Sequence, residues 1–285
     1  MKTLIADSGS TKTSWCLVDS SKGQPTILHT FQTQGLNPLY ASEQEIKDAA
    51  RSAVENFSER YPDLVQFYGA GCSGERIALV RQVLQSLFTP ATRVEVASDL
   101  VGACRALYPK EGNPVSGIAC ILGTGAIAAR YDSARDEMKA APSLGYILGD
   151  EGSGSWLGRN VLSDYLKRQM SQRVRILFEE DFGTITAESA IAHVYQQPFP
   201  NRYLASFALF VGRHMGDPYC QKLAYDGVDL FFRRNILPLS PSASETVSFV
   251  GSVAYHLQDT LRLVAAMHDL TLGRVLQSPM EGLAF

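Results

Sequence analysis

Short apolar runs alternate with amphipathic stretches through the first third of the chain. Residues 3–7 and 14–19 are apolar runs joined by a turn rich in Gly, Ser and Thr, and residues 25–33 add a third run, so the pattern predicts an opening three-strand meander. Ser42-Glu43-Gln44-Glu45 is a capping box, and behind it Ile46, Ala49, Ala50, Ala53, Val54 and Phe57 recur at helical spacing. An amphipathic helix follows from that spacing. Residues 64–70 then read as a strand, 76–88 as a helix, 94–98 as a strand and 100–108 as a helix, which predicts β-β-β-α-β-α-β-α and a mixed sheet with parallel members.

Pro109-Lys110-Glu111-Gly112-Asn113-Pro114 has the composition of a linker. Directly after it the opening theme returns: residues 117–122 are an apolar strand, Gly123-Thr124-Gly125 a glycine turn, and residues 126–132 a second strand in which Ile127, Ala129 and Tyr131 alternate. A long helix is predicted for residues 153–170, with Leu157, Val161 and Tyr165 on one face. Residues 173–237 read as helical, notably 204–215 and 219–236, before a strand at 247–250 and a helix at 255–268. The expectation is an α/β protein of two related halves: an N-terminal domain over 1–110, and a C-terminal domain over 115–285 enlarged by helices, with room for the last helices to pack back on the first domain.

Composition narrows the classes of function. With 45% hydrophobic and 19% charged residues in 285, the chain can bury a sizeable core. Lys plus Arg number 26 against 29 Asp plus Glu, a net charge of -3, so no global field draws the chain onto nucleic acid or anionic lipid, and an anionic ligand has to be held locally. The cysteines Cys16, Cys72, Cys104, Cys120 and Cys220 are dispersed without a C-x-x-C pair, which argues against a disulfide framework and a structural zinc site. The first seven residues meet an acid too early for a signal peptide, and the uncharged stretch 112–129 is broken by Pro114 and glycines. The expectation is a cytoplasmic protein with no nucleic-acid or membrane partner.

Four segments carry candidate chemistry. In Asp7-Ser8-Gly9-Ser10-Thr11-Lys12-Thr13 a tight turn between strands aims backbone N–H groups and hydroxyls at one point, as phosphate oxygens require, and an acid at the strand end can hold a hydrated Mg²⁺. An ordinary polar hairpin accounts for the segment equally well. Gly123-Thr124-Gly125-Ala126-Ile127-Ala128 matches G-x-G-x-x-A, but the residues after it alternate like a strand, so a second glycine hairpin is favoured over a dinucleotide fold. Asp99 follows a strand and precedes a helix, where an acid either meets a ligand beyond the sheet or caps the helix. Finally, the stretch from Gly145 to Trp156 places four glycines and the adjacent acids Asp150 and Glu151 ahead of a helix; in an extended chain the acids point apart, so one of them faces a ligand.

Taken together, Asp7 to Thr13, Asp99, Gly123-Thr124-Gly125 and Gly149-Asp150-Glu151-Gly152-Ser153 closely resemble, in order and interval, the N-acetylglucosamine kinases of the BadF/BadG/BcrA/BcrD ATPase group, within the sugar kinase, Hsp70 and actin superfamily. The resemblance runs from residue 1 to about residue 270. It implies two ribonuclease-H-like (actin-like ATPase) domains with ATP, Mg²⁺ and sugar meeting in a cleft. Carried onto this sequence, it makes Ser10, Thr11 and Lys12 contacts for the ATP phosphates, Asp7 a residue near the metal, Gly123, Thr124 and Gly125 the opposing phosphate turn, and Gly251 and Ser252 the adenosine-side turn. Asn37, Asp99 and Asp150 would bind the sugar, with Asp99 as the base and Asp150 as the alternative base. Ser8 departs from the pattern, standing where relatives commonly carry glycine. The implied activity is ATP-dependent phosphorylation of an amino sugar at its 6-hydroxyl, N-acetylglucosamine foremost, with N-acetylmuramic acid or glucosamine as alternative acceptors. Rival roles are a non-catalytic sugar or nucleotide sensor and an activating ATPase of the same superfamily, whose iron–sulfur cluster needs suitably placed cysteines. A homodimer is left open.

Overall fold

In the computed structural model, which describes residues 1–9, 12–21, 23–38, 42–55, 61–110 and 115–284, the chain divides into two compact units, Met1–Gly112 with Ser278–Phe285, and Asn113–Gln277. In the first unit the expected order β-β-β-α-β-α-β-α is present: β1 (Lys2–Ser8), β2 (Lys12–Asp19), β3 (Thr26–Gln34), α1 (Glu43–Glu55), β4 (Leu64–Gly69), α2 (Glu75–Gln85), β5 (Arg93–Ser98) and α3 (Asp99–Leu107). The sheet order is β3-β2-β1-β4-β5, antiparallel through the opening meander and parallel where a helix intervenes. A helix connection long enough to cross the sheet is what allows the parallel pairs.

Burial on both faces explains why the central strands read as unbroken apolar runs. Leu4, Ala6, Trp15, Leu17, Val65 and Phe67 pack on one side with Ile46 and Ala50 of α1 and Val80, Val83 and Leu84 of α2. Ile5, Cys16, Val18 and Tyr68 pack on the other with Val101 of α3 and with Met280, Leu283 and Ala284 of the C-terminal segment. Trp15 and Phe67 are fully buried, each stabilising the unit by roughly 1.5–3 kcal/mol. The capping box forms in full: Ser42 N–H donates to Glu45 Oε2 at 2.7 Å, and Glu45 N–H donates back to Ser42 Oγ at 3.3 Å. Phe57, at the end of the predicted helix, and residues 111–114 of the linker lie outside the described residues.

The second unit repeats the topology. Strands β6 (Ser116–Leu122), β7 (Ala126–Asp132) and β8 (Glu137–Ala140) form an antiparallel meander; β9 (Thr246–Val250) lies parallel beside β6, and β10 (Thr271–Leu276) parallel beside β9. Read from the meander edge, β8-β7-β6-β9-β10 matches β3-β2-β1-β4-β5 position for position. Between β8 and β9 run α4 (Gly145–Leu148), α5 (Gly154–Leu166), α6 (Gln172–Phe182), α7 (Ala187–Tyr195), α8 (Pro200–Ser206), α9 (Ala208–Arg213) and α10 (Pro218–Phe231), the last continuing into a π-helical turn, Phe232–Ile236. Between β9 and β10 lie α11 (Ser252–His256) and α12 (Gln258–Met267).

Three sequence expectations need correction here. The helix expected over 204–215 is two helices, and at the break Phe207 enters an aromatic cluster with Phe178 and Phe182, ring centroids 5.9 and 5.0 Å away. The helix expected over 255–268 is likewise interrupted, at the buried Leu257, and starts earlier. The helix expected over 219–236 leaves α-geometry at Phe232. Among the described residues no helix is long and apolar enough to cross a membrane.

Candidate functional site

Ser8, Gly69 and Ser98 pair across the carboxyl ends of β1, β4 and β5, and the next residue, Asp99, opens α3. Ser98 is the cap of that helix, its Oγ accepting from Val101 N–H at 3.4 Å, so the capping reading of Asp99 does not hold. Asp99 Oδ1 accepts instead from Leu100 N–H at 2.9 Å. Burial pushes its carboxyl up to about 6, against the pull of the backbone N–H groups at the helix start. Asp7, at the end of β1, is pushed up to about 7 by burial first and the charge of Asp99 second, with Lys12 opposing. Two carboxylates and an ammonium therefore share one electrostatic neighbourhood. Gly9 N–H donates to the Lys12 carbonyl at 3.0 Å and closes the β1–β2 hairpin, whose Ser10 and Thr11 lie outside the described residues.

Ser8, the departure from glycine, turns inward. Its hydroxyl, fully buried, donates to Thr13 Oγ1 at 2.7 Å, accepts from Leu36 N–H at 2.9 Å and lies 3.2 Å from the Leu36 carbonyl oxygen. Thr13 in turn donates to the Gln34 carbonyl at 3.0 Å. These bonds tie the segment after β3 to the end of β1, which fixes where the next residue, Asn37, sits; Asn37 is 6% exposed. Sequence reasoning missed this role, although two hydroxyls flanking a glycine turn were the available signal. Cys72 packs beneath Gly69 and its thiol is pushed up to about 12 by burial and then by Asp99, so it stays protonated at neutral pH and is no nucleophile.

In the second unit the β6–β7 hairpin turns at Gly123-Thr124-Gly125, and a strand does follow it. The Gly123 carbonyl accepts from Gly154 N–H at 2.7 Å and the Thr124 carbonyl from Ser155 N–H at 3.1 Å, so the turn caps the first N–H groups of α5. Asp150 is left-handed, φ 54°, rather than extended as the sequence reading assumed. Its Oδ1 accepts from Ala126 N–H at 3.0 Å, and burial raises its carboxyl above the usual range, Ala126 lowering it and Glu151 raising it further. Gly125 has no side chain at the one place where a Cβ would stand 3.1 Å from Asp150 Oδ2. Gly251, φ 127°, leads into α11; a Cβ there would stand 2.4 Å from the Leu122 carbonyl oxygen and 3.2 Å from Gly123 N. Gly123, Gly125, Asp150 and Gly251 are thus brought together at the end of β6, with Thr124 in the turn and Ser252 next in sequence. Of the adjacent acids, Glu151 is the one that faces inward, 6% exposed and bonded to Arg234 and Asn235. No sequence signal linked residues so far apart in the chain.

Neither a family model nor a curated protein matches the sequence. Solved structures do. The chain is similar to the "putative N-acetylglucosamine kinase" of Porphyromonas gingivalis, 41% identical over 99% of this chain and 97% of that one with a TM-score of 0.91. Its namesake from Chromobacterium violaceum is 20% identical with a TM-score of 0.69, again over 99% and 97%. A ROK family glucokinase from Streptomyces griseus, in complex with glucose and AMPPNP, is 17% identical with a TM-score of 0.55 over 100% and 96%. The last two share the fold alone. Two mixed five-stranded sheets of one topology, each ending in a glycine hairpin, are the actin-like sugar kinase fold. Within that class the chain belongs to the family of N-acetylglucosamine kinase-like proteins.

Proposed function

We propose that this protein is a sugar kinase that transfers the γ-phosphoryl group of ATP to the 6-hydroxyl of N-acetylglucosamine. The observation that carries this reading is the 41% identity to the Porphyromonas gingivalis protein along 99% of the chain. Such a reaction leaves the protein little covalent chemistry: it positions the hydroxyl, removes its proton and balances charge on the transferring group. Asp99 is the base. A carboxyl near 6 is ionised at neutral pH yet holds a proton more firmly than an ordinary carboxylate, which suits it to accept the hydroxyl proton as the oxygen–phosphorus bond forms and ADP departs.

Asn37 and Asp150 hold the sugar. Lys12, with Ser10 and Thr11, takes the phosphates from one hairpin and Gly123, Thr124 and Gly125 take them from the other, while Gly251 and Ser252 lie on the adenosine side. The buried carboxylates Asp7 and Asp99, close enough for the charge of Asp99 to raise the Asp7 carboxyl, fit Mg²⁺ arriving with ATP, because Mg²⁺ keeps several waters and takes only one or two carboxylates besides the phosphates. Asp7 is the carboxylate that would hold it, and the bound ion would offset phosphate charge.

Replacing Lys12 by Ala or Thr124 by Val is expected to weaken ADP binding by about tenfold, the loss of one charged or polar phosphate contact, and to leave N-acetylglucosamine binding within about twofold. Titration calorimetry reads both. Unchanged nucleotide affinity in both variants would reduce the two turns to plain hairpins.

A further inference from the structure

Glu151 is a buried acid with its own anchor. Its Oε1 accepts from Arg234 Nη1 at 3.0 Å and its Oε2 from Asn235 Nδ2 at 3.1 Å, so consecutive residues of one helix grip one carboxylate. Neighbours on an α-helix point about 100° apart. The turn Phe232–Ile236 is π-helical, with more residues to the turn, which narrows that angle and lets both reach the same group; such turns concentrate at functional sites.

The backbone around Glu151 is held as tightly. Asp150 and Gly152 on either side of it are left-handed, φ 54° and 72°. Gly152 presses on α10, where a Cβ would stand 2.7 Å from the Gly227 carbonyl oxygen, so the helix that grips Glu151 through its π turn also fixes the residue after it. Asp150, a non-glycine residue in a region that L side chains rarely adopt, keeps that conformation while its Oδ1 takes the Ala126 N–H. Among the described residues its Oδ2 has no hydrogen-bond donor, leaving that oxygen for a ligand.

We propose that Glu151, gripped by Arg234 and Asn235, is the positioning residue that holds Asp150 left-handed against the end of the glycine turn and thereby sets the affinity for the sugar. This rests on the reading of Asp150 as a sugar ligand. Glu151 itself, 6% exposed and bonded on both oxygens, does not touch substrate.

The test uses the full chain and N-acetylglucosamine, with KM and kcat for both substrates measured in Asp150→Ala, Glu151→Gln, Asn235→Ala and the double variant Asp150→Ala/Glu151→Gln. Glu151→Gln and Asn235→Ala are each expected to raise the sugar KM about tenfold, as misplacing a binding group does, with the KM for ATP within about twofold. In the Asp150→Ala background Glu151→Gln should add less than about a further twofold, because its effect passes through the missing side chain. A wild-type sugar KM in both single variants overturns the proposal, and so does an undiminished extra penalty in the double variant. A wild-type sugar KM in Asp150→Ala would instead remove the sugar reading on which the proposal rests, a result distinct from either. Should Glu151→Gln fail to fold by near-ultraviolet circular dichroism, Asn235→Ala, which keeps the Arg234 pair, carries the measurement.

Discussion

Asp99→Asn should lower kcat by about 10²–10⁴-fold, the range for losing a general base, while ADP binding changes little. The amide keeps the Oδ1 acceptor for Leu100 N–H, so α3 starts as before. A second consequence separates this variant from a damaged fold. The Asp99 carboxyl lies near 6 in the folded protein, above its ordinary value, so the folded state binds this proton more tightly than the unfolded one. That contribution to stability is present at acid pH and is lost as pH rises through about 6. At pH 8 the ionised, desolvated carboxylate is therefore a cost that asparagine escapes, and Asp99→Asn should melt no lower than the wild type, a difference that shrinks toward pH 4. By the same sign, wild-type kcat/KM for the sugar should fall about tenfold per pH unit below about 6 as the base is protonated. Wild-type turnover in a folded Asp99→Asn protein would remove Asp99 from the chemistry.

Gly251→Ala should be the most damaging single-carbon addition at the proposed nucleotide site. Its Cβ would meet the Leu122 carbonyl oxygen at 2.4 Å, backbone that a rotamer change cannot move aside, and its φ of 127° is strained for any L side chain. Either the start of α11 shifts or the end of β6, which leads into the Gly123-Thr124-Gly125 turn, does. An expected loss of roughly 2–4 kcal/mol combines overpacking with backbone strain. Urea denaturation would measure it, and calorimetry should find ADP binding weakened in whatever folded fraction remains. An unchanged denaturation midpoint would mean that the end of β6 yields at no cost.

What the sequence disclosed follows physical range. Strands β1, β2, β6 and β7 were legible because burial on both faces makes each a short, nearly unbroken apolar run, and α1 because its cap lies within four residues. Strand β8 gave no such signal: Glu137–Ala140 is short and exposed throughout. Strand β10 is interrupted by Gly273, which admits Ser248 Oγ within 2.4 Å of where a Cβ would stand, and by a register shift between Leu272 and Val275. At the candidate site the glycine turns and acids stood out because several unusual residues crowd a short stretch. Hidden were the long-range bonds: Ser8 to Leu36, and Glu151 to Arg234 and Asn235, partners 28, 83 and 84 residues away in the chain. Left-handed Asp150 was equally hidden, since its bond to the β6–β7 turn and the anchoring of Glu151 beside it are both made with residues distant in the chain.

One measurement bears directly on the central claim. Purified protein incubated with ATP, Mg²⁺ and N-acetylglucosamine, followed together by ADP release and by phosphorus and carbon NMR of the sugar, should yield one ADP per sugar phosphorylated, with the phosphate coupled to carbon 6. Glucosamine, N-acetylmuramic acid and N-acetylmannosamine in parallel should react more slowly. If the folded protein binds ADP yet releases none above background with any of the four sugars, it is not a sugar kinase of this kind, and a phosphate on any carbon other than 6 would contradict the proposed position of transfer.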